Sequence, residues 1–388
     1  MKKLWVLTLA LSCLFSCSST EDTPHDPIIF TGDIVLTSAQ EIANFMAAGH
    51  TVIDGNVRIA GVNLIDDLSA FAGITEITGN LHIDFTSITS MSGFENLEKT
   101  GGFILLDNNR QLKSLIGLEK LTEIGGGIGI WANHQLESLQ PLSNVTDFGG
   151  IVSIQGQNEL RNLRGLEGLT SEPKALSISG FFLESLEGLP KINSVEGSLR
   201  ITGCGFLTDL ENFRGITSIG EDLWLEALPR VEDLSIFDEL TLVGGEFGII
   251  GSGATQINSF NGLTGLESLV LLNNREVTSI SGFQNLTAAK SLTISGSDEL
   301  TNLSGFSNLQ TVEEQIWVID NPSLPNLDGL SAIQGNPWRV WIFDNQSLTN
   351  FCGTSALFAD LPDDTQIIIR NNAFNPGLQD IKAGNCSD

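Results

Sequence analysis

Thirteen times between Ile65 and Phe351 the chain repeats one short phrase: apolar, two variable, apolar, two variable, apolar. The clearest copies are Leu112-x-x-Leu115-x-x-Leu118-x-x-Leu121-x-x-Ile124 and Leu136-x-x-Leu139-x-x-Leu142-x-x-Val145-x-x-Phe148. Copies start at 65, 88, 112, 136, 160, 183, 207, 231, 257, 277, 300, 324 and 348. Most steps are 23 or 24 residues; those on either side of Ile257 are 26 and 20, which marks an expected seam or irregular coil. A fixed period of this size is the signature of a stacked solenoid. Because each coil touches only its neighbours, 388 residues can form one elongated body instead of several domains.

Spacing by threes is neither the 3.6 of an α-helix nor the 2 of a strand; it suits 3₁₀-like or extended turns that each point one side chain inward. In the coil from Leu112 the turns end at Gly125-Gly126-Gly127, where a sharp bend draws on glycine's freedom. Ile128-Gly129-Ile130-Trp131 then alternates as a short strand does. An asparagine stands three residues before the next coil, at Asn109, Asn133, Asn274, Asn321 and Asn345. An inward amide at a coil corner can bond the backbone groups that the turn leaves open. Cys204 occupies the same register and reads as a buried structural thiol.

Leu160-x-x-Leu163-Arg164-Gly165-Leu166-Glu167-Gly168-Leu169, with Ser198-Leu199-Arg200-Ile201 and similar strands, resembles the receptor L domain. That module is found in growth-factor receptor ectodomains and in many bacterial surface proteins. The resemblance spans roughly Ile34 to Cys386 and implies a mainly β, right-handed leucine-rich β-solenoid; its repetitive motif is specific for fold and poor for function. Thirteen coils exceed one such module. A solenoid needs its ends covered. Ser38-Ala39-Gln40-Glu41 resembles a capping box, so a helix from Ser38 to Ala48 is expected to plug the N-terminal end, with Val52 to Ile59 as the first strand. The expected division is a signal peptide over 1–16, a lipidated flexible tether over 17–32, cap helix and first strand over 33–61, solenoid over 62–351, and a C-terminal cap over 352–388.

Met1-Lys2-Lys3 followed by the apolar run Leu4 to Leu14 is a processing signal, too short to span a bilayer as a mature helix. It ends Leu14-Phe15-Ser16-Cys17, which resembles a bacterial lipobox and implies lipid on Cys17. Ser18 after that cysteine resembles outer-membrane sorting, and Glu21-Asp22 resembles the acidic export signal of surface-displayed lipoproteins. The expected location is therefore the outer membrane, facing the cell exterior, with membrane contact through the lipid alone. Cys352 and Cys386 flank the last coil; the alternatives are a disulfide in an oxidising compartment or two free thiols. Loss of Lys2 and Lys3 takes the formal charge from −28 to −30, which argues against a nucleic-acid partner.

Motifs for nucleotide binding, zinc hydrolysis or nucleophilic catalysis are missing, and His25, His50, His82 and His134 share no metal-ligand spacing. Neither cofactor nor metal is expected. A carboxylate pair of the glycosidase kind is the remaining enzymatic reading. The outward strand positions carry more information. Their first column runs His82, Leu105, Gly129, Ser153, Ser177, Arg200, Trp224, Gly248, Val270, Thr293, Trp317, Trp341; the second ends Ile319, Phe343. Trp317, Ile319, Trp341 and Phe343 thus form an expected aromatic patch, bordered by Trp338, with Trp224 four coils away. Exposed patches of this kind mark binding sites. The competing reading is a stabilising stack or a covered sheet. A non-enzymatic surface adhesion protein is the first functional expectation, and a polysaccharide-capture component of a nutrient-uptake system is the second.

Overall fold

Apolar side chains of the repeat turn inward, and each coil sets a short strand directly beside the strand of the coil before it. The computed structural model describes residues 26–62, 64–334, 336–359, 361–362 and 364–388. The signal segment, Cys17 and the tether up to residue 25 lie outside the described residues. One sheet of fifteen strands runs from Ile34–Leu36 to Gln366–Arg370. Every adjacent pair in it is parallel, a pairing order compatible with a solenoid. Shorter sheets of five, three and two strands form from the residues just ahead of the bend that leads into the main strand. Single 3₁₀ turns such as Gln140–Leu142, Ser235–Phe237 and Ser304–Phe306 supply the spacing by threes.

The core is a set of columns. Ile128 and Ile130, Val152 and Ile154, and Leu176 and Ile178 point inward from consecutive strands and are fully buried. One column of the 3₁₀ side is a phenylalanine stack: Phe237, Phe260, Phe283 and Phe306 follow at ring-centroid distances of 5.6, 5.3 and 5.6 Å. Each buried ring or branched aliphatic contributes about 1.5–3 kcal/mol relative to exposure.

The irregular steps at Ile257 do not mark a seam. Ala254, with no exposed surface, takes the first inward position and is followed by Ile257, Phe260, Leu263 and Leu266. Coil starts there are 231, 254 and 277, and the sheet continues through Phe247↔Leu269. Alanine is too weakly apolar for the pattern to register it. Over the next coils the glycine bend is lost, and Gly265–Leu272, Ala288–Ser295 and Thr311–Ile319 run as strands of 8, 8 and 9 residues.

Gly125 serves close approach: a Cβ there would lie 2.4 Å from the carbonyl oxygen of Gly101 in the preceding coil. No side chain could fit between coils stacked this tightly.

The helix is Ala39–Met46, with Ser38 Oγ accepting from Glu41 N at 3.3 Å. The Glu41 carboxylate reaches back to Thr37 N (2.7 Å) rather than to Ser38 N, so the box closes one residue earlier than expected. The first strand of the long sheet is Ile34–Leu36, ahead of the helix. Val52 to Ile59 is not one strand: Gly55 divides it into Val52–Asp54 and Val57–Ala60, which join different sheets. Ile29–Thr31, inside the segment expected as tether, is a strand that pairs with Val52–Asp54. At the other end Cys352 and Cys386 form a disulfide with Cα atoms 5.0 Å apart. Closing a loop of 34 residues contributes about 4 kcal/mol in the chain-entropy account. Helices Ser355–Ala359 and Leu378–Lys382 pack together beside it, burying Leu357, Phe358 and Ile381.

Coil corners are tied by buried amides. Asn133 donates Nδ2–H to Leu106 O at 2.9 Å, and its Oδ1 accepts from Asn109 N at 2.9 Å. Asn109, Asn274, Asn321 and Asn345 repeat this on Ile83, Ile249, Ile294 and Val318. Gln157 and Asn372 join the ladder on Ile130 and Ile342. The residue before each corner often has left-handed backbone, at Asn108, Ala132, Asn273, Asp320, Asp344 and Asn371. Asn133→Ala strands a buried N–H and a buried C=O. We expect it to cost about 2–5 kcal/mol at roughly 1–3 per orphaned group, read as a lower urea midpoint with local loss of amide protection around Leu106 and Asn109.

Candidate ligand-binding face

Parallel pairing in register turns each outward strand position into a column along the sheet. The first column is Arg58, His82, Leu105, Gly129, Ser153, Ser177, Arg200, Trp224, Gly248, Val270, Thr293, Trp317, Trp341 and Ile368. In the middle of the sheet the face is small and polar: Ser153, Ser177, Ser179 and Thr202. From Trp224 onward it is more apolar, the second column contributing Ile250, Leu272, Ile319 and Phe343, with Glu226, Thr293 and Ser295 between.

Trp317 and Trp341 stack with centroids 4.9 Å apart and planes 6° from parallel. That separation equals the spacing of neighbouring strands, so the indoles stand over one another with faces engaged. Phe343 lies 6.4 Å from Trp341. Arg339 sits over the rings of Trp338 (4.2 Å) and Trp341 (4.6 Å), and Arg370 sits 5.1 Å over Phe343. Among the described residues neither arginine is in an ion pair, whereas Arg58, Arg164, Arg200 and Arg214 each hold a carboxylate. The patch offers ring edges, two guanidiniums and the half-exposed ring of Trp338.

The structure therefore gathers Trp317, Ile319, Trp341 and Phe343, and leaves Trp224 four strands away, about 19 Å at the usual spacing. Trp224 leans across Gly248 of the next strand: a Cβ on Gly248 would lie 2.2 Å from its ring. The indole Nε1 atoms of Trp224, Trp317 and Trp341 are shielded from solvent and meet no hydrogen-bond partner among the described residues. Trp131, farther along, donates its Nε1–H to Ser153 Oγ at 2.9 Å. Each orphaned N–H costs about 1–3 kcal/mol. An aromatic pair returns about 0.5–1.5 kcal/mol beyond its burial.

Arg339, Arg370 and Ile368 went unread in the sequence, and Gly248 was placed in the first outward column without its part as the seat of the Trp224 ring. Arg339 precedes Trp341 by two residues, a same-face spacing that could have shown it. Ile368 and Arg370 follow the point where the repeat breaks at Phe351, so the columns were not carried that far.

Among the described residues no three of His, Cys, Asp and Glu are placed to hold a metal ion. Asp84, nearly fully buried, grips Arg58 at 2.8 and 3.1 Å, and His134 Nδ1 lies 2.8 Å from Gly156 O. An acid-lined groove flanks the apolar columns at Asp222, Glu246, Glu267 and Glu314, with Lys290 paired to Glu267. Burial pushes the Cys204 thiol up to about 11.

Residues 50–136 match the family described as Receptor L domain. That stretch is receptor L-domain-like. No curated protein matches the chain. The match supports a ligand-binding role for the L-domain segment; the Trp317–Trp341 pair lies beyond it.

Two outcomes follow. Gly248→Ala displaces the Trp224 ring and is expected to cost about 1–3 kcal/mol as overpacking, with a red-shifted tryptophan emission relative to the parent. Cys204 is expected to resist thiolate-directed alkylation at pH 8 in the native state and to react once the chain is unfolded.

Proposed function

We propose that this is a non-enzymatic binding protein held on the outer surface of a bacterial envelope by lipid on Cys17, presenting the outward face of its long sheet to a protein ligand. The observation that carries this reading is the aromatic–guanidinium patch of Trp317, Trp338, Arg339, Trp341, Phe343 and Arg370. Trp and Arg are the side chains most enriched at protein-binding hot spots. The L-domain match supports ligand binding as the coarse role. In the same reading the solenoid is right-handed and helix Ala39–Met46, which buries Ile42, closes its first coil.

A protein ligand is favoured over a polysaccharide by the ring geometry. Sugar rings stack on free aromatic faces, whereas Trp317 and Trp341 each turn one face to the other and Arg339 lies over Trp341.

The test is binding of the parent and of Trp341→Ala/Phe343→Ala to parallel panels of purified extracellular proteins and soluble polysaccharides. The variant must keep a cooperative melt. A protein bound by the parent and lost at least ~10-fold in the variant, about 1.4 kcal/mol, is the expected result. Parent binding confined to polysaccharides would contradict it.

A further inference from the structure

The last strand of the long sheet, Gln366–Arg370, is paired on one side only. Two bonds fix which of its groups are used. Gln366 N donates to Trp338 O at 2.9 Å, and Arg370 O accepts from Asp344 N at 3.2 Å. Residues 366, 368 and 370 therefore face the neighbouring strand, and alternation turns the N–H and C=O of Ile367 and Ile369 to the free edge. Among the described residues those groups meet no hydrogen-bond partner outside the sheet. The strand reads Gln-Ile-Ile-Ile-Arg: strongly β-forming, with none of the proline, lysine or bulge that usually blunts an exposed edge. The opposite end of the sheet has helix Ala39–Met46 packed against its first strand.

We infer that the Gln366–Arg370 edge is a self-association surface on which a second copy of this chain pairs antiparallel about Ile368. The sequence is self-complementary in that register. Ile367 stands opposite Ile369 of the copy and exchanges both free backbone bonds with it, while Ile368 meets its own counterpart as the close, non-hydrogen-bonded pair. On the outward face Gln366 lies across from Arg370 of the copy. Asp364, exposed and two residues further along, lies diagonal to that arginine, within its reach. The contact thus gives the Arg370 guanidinium of each copy a carboxylate, by symmetry. Because Ile368 continues the Trp317–Trp341 column, the pairing joins the two aromatic faces across the axis.

The experiment uses the full chain carrying Cys17→Ser, in about 0.3 M salt so that repulsion between acidic copies is screened. Sedimentation is followed from about 1 to about 100 µM. A concentration-dependent dimer is expected, weakened at least ~10-fold by Ile368→Lys, which sets like charges opposite one another. Ile368→Cys is expected to link to its own copy under mild oxidation, because a non-hydrogen-bonded antiparallel pair holds Cα atoms ~4.5 Å apart, within disulfide range. Gln366→Cys, two residues off the axis and so four positions from its counterpart, is expected to stay unlinked. A monomer at every concentration overturns the inference. So does a dimer indifferent to Ile368→Lys, or one in which Ile368→Cys stays unlinked; either places association on another surface.

Discussion

The buried amide at the coil corner is the interaction on which the rest of this structure depends. A parallel sheet fixes neighbouring strands along their length, but each strand must then turn away from its last hydrogen bond. Asn109, Asn133, Asn274, Asn321, Asn345 and Asn372 meet that demand by giving Nδ2–H to the carbonyl of a residue in the coil before and, at most corners, taking a backbone N–H on Oδ1. Apolar columns make stacking favourable without choosing a register, since one leucine over another costs the same after a slip. A directional bond between named atoms in adjacent coils does choose.

Register is also what makes the outward face usable. Because Trp317 falls on Trp341 and Gly248 falls beside Trp224, single side chains become columns, and a gap in one strand becomes the seat of a ring from the next. The face is graded along its length, hydroxyl-rich in the middle and aromatic with two guanidiniums towards Gln366–Arg370. On a chain of formal charge −28, that cationic corner is the place where an acidic partner meets least repulsion.

Much of this was legible before any coordinates. Period, strand positions, both outward columns and most of the amide ladder follow from residues that announce themselves: leucine at threes, alternating isoleucines, asparagine three before each coil. Failures came where a residue plays its part under another identity. Ala254 is a core position too small to look like one, and it turned a regular coil into an apparent seam. Gln157 does an asparagine's work with one more methylene. Gly248 and Gly125 act through the side chain they lack. Whether an outward indole shows a face or an edge is set by contacts between coils, and no pattern within one coil encodes it.

The central claim is one unbroken sheet with every coil in register, including the stretch around Ala254. Native-state amide exchange tests it most directly, because protection reports which backbone bonds persist. The account expects the inner strands Phe247, Ile249, Leu269 and Leu271 to exchange as slowly as Ile128, Ile130, Val152 and Ile154. Faster exchange confined to residues 247–271, with slow exchange on both sides, would show two bodies meeting at a seam and would contradict it.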